Sequence, residues 1–138
     1  MIKSLNINTK IKTLGKMRYF TCGDYFIKGK TKHFEIADCG NDVYNTAILI
    51  HELFEELKTR KNKISEKKIS AFDKKFEEKR AKGIYTDEDC GDDKKAPYYK
   101  EHQQATLLER MFIELMGEDW QDYEEYMNIF LYGHGHKV

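Results

Sequence analysis

Three cysteines in 138 residues, Cys22, Cys39 and Cys90, stand far apart and never form a CxxC pair. They are too few and too scattered for a disulfide framework or a structural zinc knuckle, and reduced thiols in a cytoplasmic protein fit that usage. No run of eighteen apolar residues occurs, and the start Met1-Ile2-Lys3-Ser4-Leu5-Asn6 lacks the apolar stretch of an export signal. Neither secretion nor a membrane span is expected. An excess of charge is also missing, since Lys plus Arg and Asp plus Glu number 24 each, which leaves no global field to draw in nucleic acid. The basic residues Lys67, Lys68, Lys74, Lys75, Lys79 and Arg80 alternate with Glu66, Asp73, Glu77 and Glu78, the pattern of a solvated helix face rather than a phosphate groove. With one proline, no repeat and no linker, residues 1–138 read as a single domain, long enough to bury a core without staples.

What is present falls into two parts. From about Ser4 to Ala37 apolar residues alternate, in Leu5 and Ile7, Ile11 and Thr13, Met17 and Tyr19, Tyr25 and Ile27, Phe34 and Ile36. Glycine-containing turns at Cys22-Gly23-Asp24 and Lys28-Gly29-Lys30-Thr31 punctuate them, which predicts three or four short antiparallel strands. After Gly40 the period becomes helical. Helices are expected over about 42–60, capped by Asn41 or Asp42, then 65–82 closed by Gly83, 97–116 with Pro97 in the first turn, and 119–132. The fold class is therefore α+β, a small antiparallel sheet packed on three to four helices. The stretch 84–97 reads as a solvated acidic loop without the carboxylate ladder of a calcium-binding hand, and His134 and His136 as a tail.

The first helix carries Ala47-Ile48-Leu49-Ile50-His51-Glu52-Leu53-Phe54-Glu55-Glu56-Leu57. Residues four apart share a helical face, so His51 and Glu55 can address one atom while Glu52 lies about 100° round from His51. Zinc accepts carboxylate oxygen as it does imidazole nitrogen, so this HExxE is a metal chelate with a base beside it. The competing reading makes His51 and Glu55 a polar pair at the edge of a buried arc of Val43, Ala47, Leu49, Ile50, Leu53, Phe54 and Leu57. A catalytic zinc needs a third ligand. Outside the tail the histidines are His33, in the strand region, and His102, on a helix that must pack near the first; His102 is the choice. Glu52 would be the general base towards a metal-activated water, and Asp73 or Glu109 would orient the imidazoles. Asp73 could equally pair with a neighbouring lysine.

Strands followed by a helix bearing His-Glu-x-x-ligand, with the last ligand on a later helix, resemble the zincin-like metallopeptidase architecture. Glutamate-zincins carry HExxH and a distal Glu; His51 to Glu55 with a distal His102 is the same ligand set permuted. A longer pattern over about residues 34 to 126 is similar to a group of uncharacterised small tailed-phage proteins. It runs through HELFEE, Ala71-Phe72-Asp73, Gly91-Asp92-Asp93, Ala96-Pro97-Tyr98 and His102-x-x-Ala105-Thr106-x-x-Glu109-Arg110. The phage likeness implies origin alone, a phage-encoded protein in the host cytoplasm; the zincin likeness implies a zinc-dependent (or other divalent-metal) hydrolase, metallopeptidase-like, acting on an unidentified substrate. Two alternatives stay open. One is a non-enzymatic binding or inhibitor protein with a host protein as partner and a structural metal or polar cluster. The other is a magnesium-dependent nucleotide pyrophosphohydrolase, for which Glu52-x-x-Glu55 would be half of the site.

Overall fold

The computed structural model describes residues 6–84 and 89–133. Three strands, β1 (Asn6–Lys12), β2 (Gly23–Lys28) and β3 (Thr31–Ala37), precede four helices, α1 (Asp42–Lys61), α2 (Glu66–Ala81), α3 (Tyr99–Leu115) and α4 (Trp120–Tyr132). The α+β class and the helix boundaries agree with the sequence reading to within two residues. Expected strand residues before Asn6, the acidic residues 85–88, and His134 and His136 lie outside the described residues.

The sheet is mixed, a correction to the wholly antiparallel expectation. β2 and β3 form a hairpin around Gly29, whose φ of 63° suits glycine, whereas β1 runs parallel to β3, giving the order β1-β3-β2. Alternation reports which residues share a face and carries no information about strand direction. Met17 and Tyr19 are not in a strand either. A short 3-10 turn at Leu14–Lys16 and an irregular segment to Cys22 carry the chain from the end of β1 across to β2.

Three of the four helices start where a side chain satisfies an orphan amide: Asn41 accepts from the Tyr44 amide, Ser65 from Lys68 and Asp119 from Asp122, whereas the Tyr98 side chain does not cap α3. The main core joins Ile36 of β3, Tyr44, Ala47 and Ile48 of α1, Ile113 of α3, and Tyr123 and Met127 of α4. A smaller cluster of Ile69, Ala96 and Tyr98 seats α2 against the entry to α3. No described helix is long and apolar enough to cross a membrane.

The orientation of α1 departs from its hydropathy. Its first half buries Tyr44, Ala47 and Ile48, but the same face continues through His51, Glu52, Glu55, Glu56 and Thr59, all buried, while Leu53 and Leu57 are exposed. The expected apolar arc through Leu53 and Leu57 therefore points to solvent, and His51 and Glu55 lie at the middle of the inward face rather than at its edge. Partners explain why carboxylates win that place: Lys32 Nζ of β3 lies 2.5 Å from Glu56, Arg60 Nε reaches the other Glu56 oxygen at 3.0 Å, and α3 supplies histidine and glutamate opposite His51. Buried charge is tolerated only where it is paired in this way.

Candidate metal centre

His51 and Glu55 stand one helical turn apart on α1, and His102 faces them from the first turns of α3. Glu55 Oε2 is 3.0 Å from His51 Nε2 and 2.8 Å from His102 Nδ1, and the two nitrogens are 3.2 Å apart. All three residues are buried and form a group that could hold a metal ion. Ligands placed tetrahedrally at about 2.0–2.1 Å from an ion stand about 3.3–3.4 Å apart, so the triangle needs to open by only a few tenths of an ångström.

The far nitrogen of each ring meets a carboxylate. His51 Nδ1–H donates to Glu109 Oε1 at 2.7 Å, and Tyr123 of α4 donates its hydroxyl to Glu109 Oε2 at 2.5 Å. His102 Nε2 lies 3.3 Å from Asp92 Oδ1, with Asp89 Oδ1 at 3.8 Å. These contacts place protons on the far nitrogens, while His51 Nε2 and His102 Nδ1 face the Glu55 carboxylate and donate to it; a metal ion would displace those two inward protons, and the far carboxylates would raise the basicity of the nitrogens it meets. Gly91 makes room for the second ring: a Cβ there would sit 2.4 Å from His102 Nδ1.

The electrostatics follow from packing acids and imidazoles together. Burial lowers the His51 pKa, but the carboxylates of Glu109 and Glu55 overcome it and hold the ring up at about 10. Burial likewise opposes His102, which Asp92 and Glu55 keep well above its ordinary value. Glu55 is pushed up by burial and held down at about 2 by the two imidazoles. Glu52 has no such donor; burial first, and then the Glu55 charge, raise it well above the usual carboxylate range.

Of the other residues singled out from sequence, Glu109 lies on His51 as described. Among the described residues Asp73 meets no imidazole and no lysine; it accepts from the Tyr98 hydroxyl at 2.5 Å, and Tyr98 Oη also lies 3.1 Å from Cys90 Sγ. His33 stays on β3, stacked on Phe26 at 4.9 Å. Sequence reasoning missed the roles of Asp92, Gly91 and Tyr123. Only Tyr123 had a periodic signal, as part of the α4 core stripe, and nothing in that stripe announced a hydroxyl aimed at Glu109.

Asp73 gives a test of this electrostatic picture. Burial pushes its carboxyl up to about 7 despite the Tyr98 hydrogen bond. The folded state then holds the proton more tightly than the unfolded chain, so stability falls as pH rises from about 4 to about 7. Asp73→Asn keeps an acceptor for Tyr98 and removes that loss. It is expected to match the wild type at pH 4 and to be more stable by about 1–3 kcal/mol at pH 8, measured by urea unfolding.

His51, Glu52, Glu55 and His102 all line one cavity of about 370 Å³, bounded by the segment leading into β2 and by α1, α2, α3 and α4. Among the described residues ten carboxylates line it, and Arg18 is the only lysine or arginine that does. Arg18 is itself neutralised, its Nε lying 2.5 Å from Asp24 Oδ2. No protein-family model, curated protein or solved structure matches this chain.

Proposed function

We propose that the protein is a metal-dependent hydrolase in which His51, Glu55 and His102 hold one divalent ion, zinc by the character of the donors, and Glu52 is the general base. The observation that carries this reading is the ligand triangle itself: two imidazoles and a carboxylate converge within 2.8–3.2 Å, and the far nitrogen of each ring faces a carboxylate. A His₂Glu set leaves zinc a fourth position for chemistry, where the ion supplies charge to polarise a carbonyl and activate water.

This chain's own residues do the rest. Glu109, fixed by Tyr123, and Asp92 hold the two rings in the tautomers that present lone pairs to the ion. Glu52, adjacent to His51 and lining the same cavity, accepts the proton of the attacking water and returns it to the leaving group. Zincin-like peptidases use the same one-residue offset between ligand and base, and by that analogy an amide is the bond cleaved.

Elemental analysis of protein purified without a histidine tag tests the metal, and hydrolysis of amides, esters and phosphodiesters by the metal-loaded protein tests the reaction. One ion per chain is expected, with His51→Ala and His102→Ala each lowering affinity at least about 100-fold and releasing fewer protons on metal uptake. Stoichiometric metal in the His102→Ala protein would overturn the ligand set. A fully metallated protein inert towards every substrate class would favour a binding protein with a structural ion.

A further inference from the structure

The cavity beside the ligand triangle has a chemical character that the metal does not explain. Its volume of about 370 Å³ lies within the roughly 300–1,000 Å³ typical of small-molecule sites. Most of its carboxylates already have donors: Asp24 takes Arg18, Glu55 and Glu109 take imidazoles, Asp73 takes Tyr98, and Glu66 takes the Ile27 amide. Two do not. Among the described residues, neither Glu52 nor Glu124 forms a hydrogen bond or ion pair, although both line the cavity and Glu52 is only 8 % exposed.

A buried carboxylate facing an open cavity without a protein donor calls for a donor on the occupant. The remaining lining narrows the choice. Tyr19, Tyr25, Tyr98, Trp120 and Tyr132 contribute aromatic surface to the same space, and rings together with carboxylates favour a cation. With Arg18 already paired, no free lysine or arginine among the described lining residues receives an anion, so away from the proposed ion a phosphate or carboxylate group would enter against the field.

We propose that the cavity receives a protonated primary amine carried by the substrate, its ammonium group meeting Glu124 and the Glu52 oxygen that does not take the proton of the water. This deepens the hydrolase reading by naming the substrate class, and it rests on that reading only for the word substrate, since amine binding is measured without turnover. Glu124 lies on α4, outside the ligand set and its supporting carboxylates, and so reports on the amine site separately from the metal.

The test is calorimetric titration of the zinc-loaded protein with spermidine and with the tripeptide Gly-Lys-Gly, each beside its fully N-acetylated form, and with adenosine monophosphate as the anionic probe. At least one amine is expected to bind about tenfold or more tightly than its acetylated form and more tightly than the nucleotide, with affinity falling as salt is raised. Preference for spermidine identifies a small polyamine, and preference for the tripeptide identifies a basic peptide. Glu124→Gln should weaken amine binding severalfold and Glu124→Lys about tenfold or more, with zinc content unchanged. Equal binding of amines and acetylated forms overturns the proposal. So does tighter nucleotide binding, loss of amine binding when zinc is added to the metal-free protein, or indifference to Glu124→Lys. Amine binding without hydrolysis of any amine-bearing amide or ester leaves this site standing and removes the hydrolase reading instead.

Discussion

Glu52→Gln is expected to yield a protein that keeps its metal, gains stability and loses turnover. Burial and the neighbouring Glu55 charge hold the Glu52 carboxyl well above its unfolded value, so the native state binds the proton more tightly than the unfolded chain does. A group raised in this way costs stability progressively as pH rises from about 4.5 through its folded pKa, and an isosteric amide does not titrate. The metal-free variant should therefore melt with the wild type at pH 4 and exceed it at pH 8 by about 1–3 kcal/mol, roughly 3–10 °C in Tm. Hydrolysis should fall by about 10²- to 10⁴-fold, the contribution typical of a general base. Paired thermal melts in chelator at the two pH values decide the first part. A variant destabilised at pH 8 would mean that the Glu52 carboxylate has a partner, and unchanged hydrolysis would remove it from the mechanism.

The second large effect belongs to a residue with no side chain. Gly91 has no left-handed φ, so its backbone accepts alanine, but the added Cβ would lie 2.4, 2.5 and 2.7 Å from His102 Nδ1, Cγ and Cε1. These are atoms of a rigid, buried ring, one of them a ligand atom, so the ring must leave the triangle. Gly91→Ala is expected to weaken metal binding by about 100-fold or more while the far-ultraviolet dichroism stays that of the wild type. Gly23→Ala is the matched control, because its Cβ would instead meet Glu52 and Ile48 at 2.6 Å, so that turnover should drop while metal is retained. Competition with a chromogenic zinc chelator measures both; wild-type affinity in Gly91→Ala would show that His102 is not a ligand.

The helices were legible from caps at three of them and from periodicity at the fourth: Asn41, Ser65 and Asp119 mark starts, and on α3, which Tyr98 does not cap, His102, Ala105, Glu109 and Ile113 face inward as their spacing requires. The inward face of α1 was not legible from hydropathy, since Leu53 and Leu57 outweigh Glu52, Glu55 and Glu56 on any apolar scale while the structure buries the acids. Spacing alone left both faces open: from Ile48, steps of three and four lead through His51, Glu52, Glu55 and Thr59, whereas from Ala47 the same steps lead through Ile50 and Phe54 to Leu57. The direction of β1 could not be read, because parallel pairing with β3 depends on where the 13–22 segment crosses, and that segment has no period. Gly91 and Asp92 sit in a 3-10 turn, Cys90–Asp92, too short to show a period in the sequence, so their place beside His102 follows from how the chain enters α3.

His51 and His102 are 51 residues apart in sequence and 3.2 Å apart between ring nitrogens. An ion shared by them is a cross-link between α1 and α3, closing a loop of that length as a covalent bridge would. By the chain-entropy model used for disulfides, such a closure restricts the unfolded ensemble by about 4 kcal/mol. The three cysteines are free thiols. Where disulfide-bonded domains staple their helices through sulfur, the proposed ion would give this chain a reversible fastener at its centre, made or released by the supply of metal rather than by an oxidant.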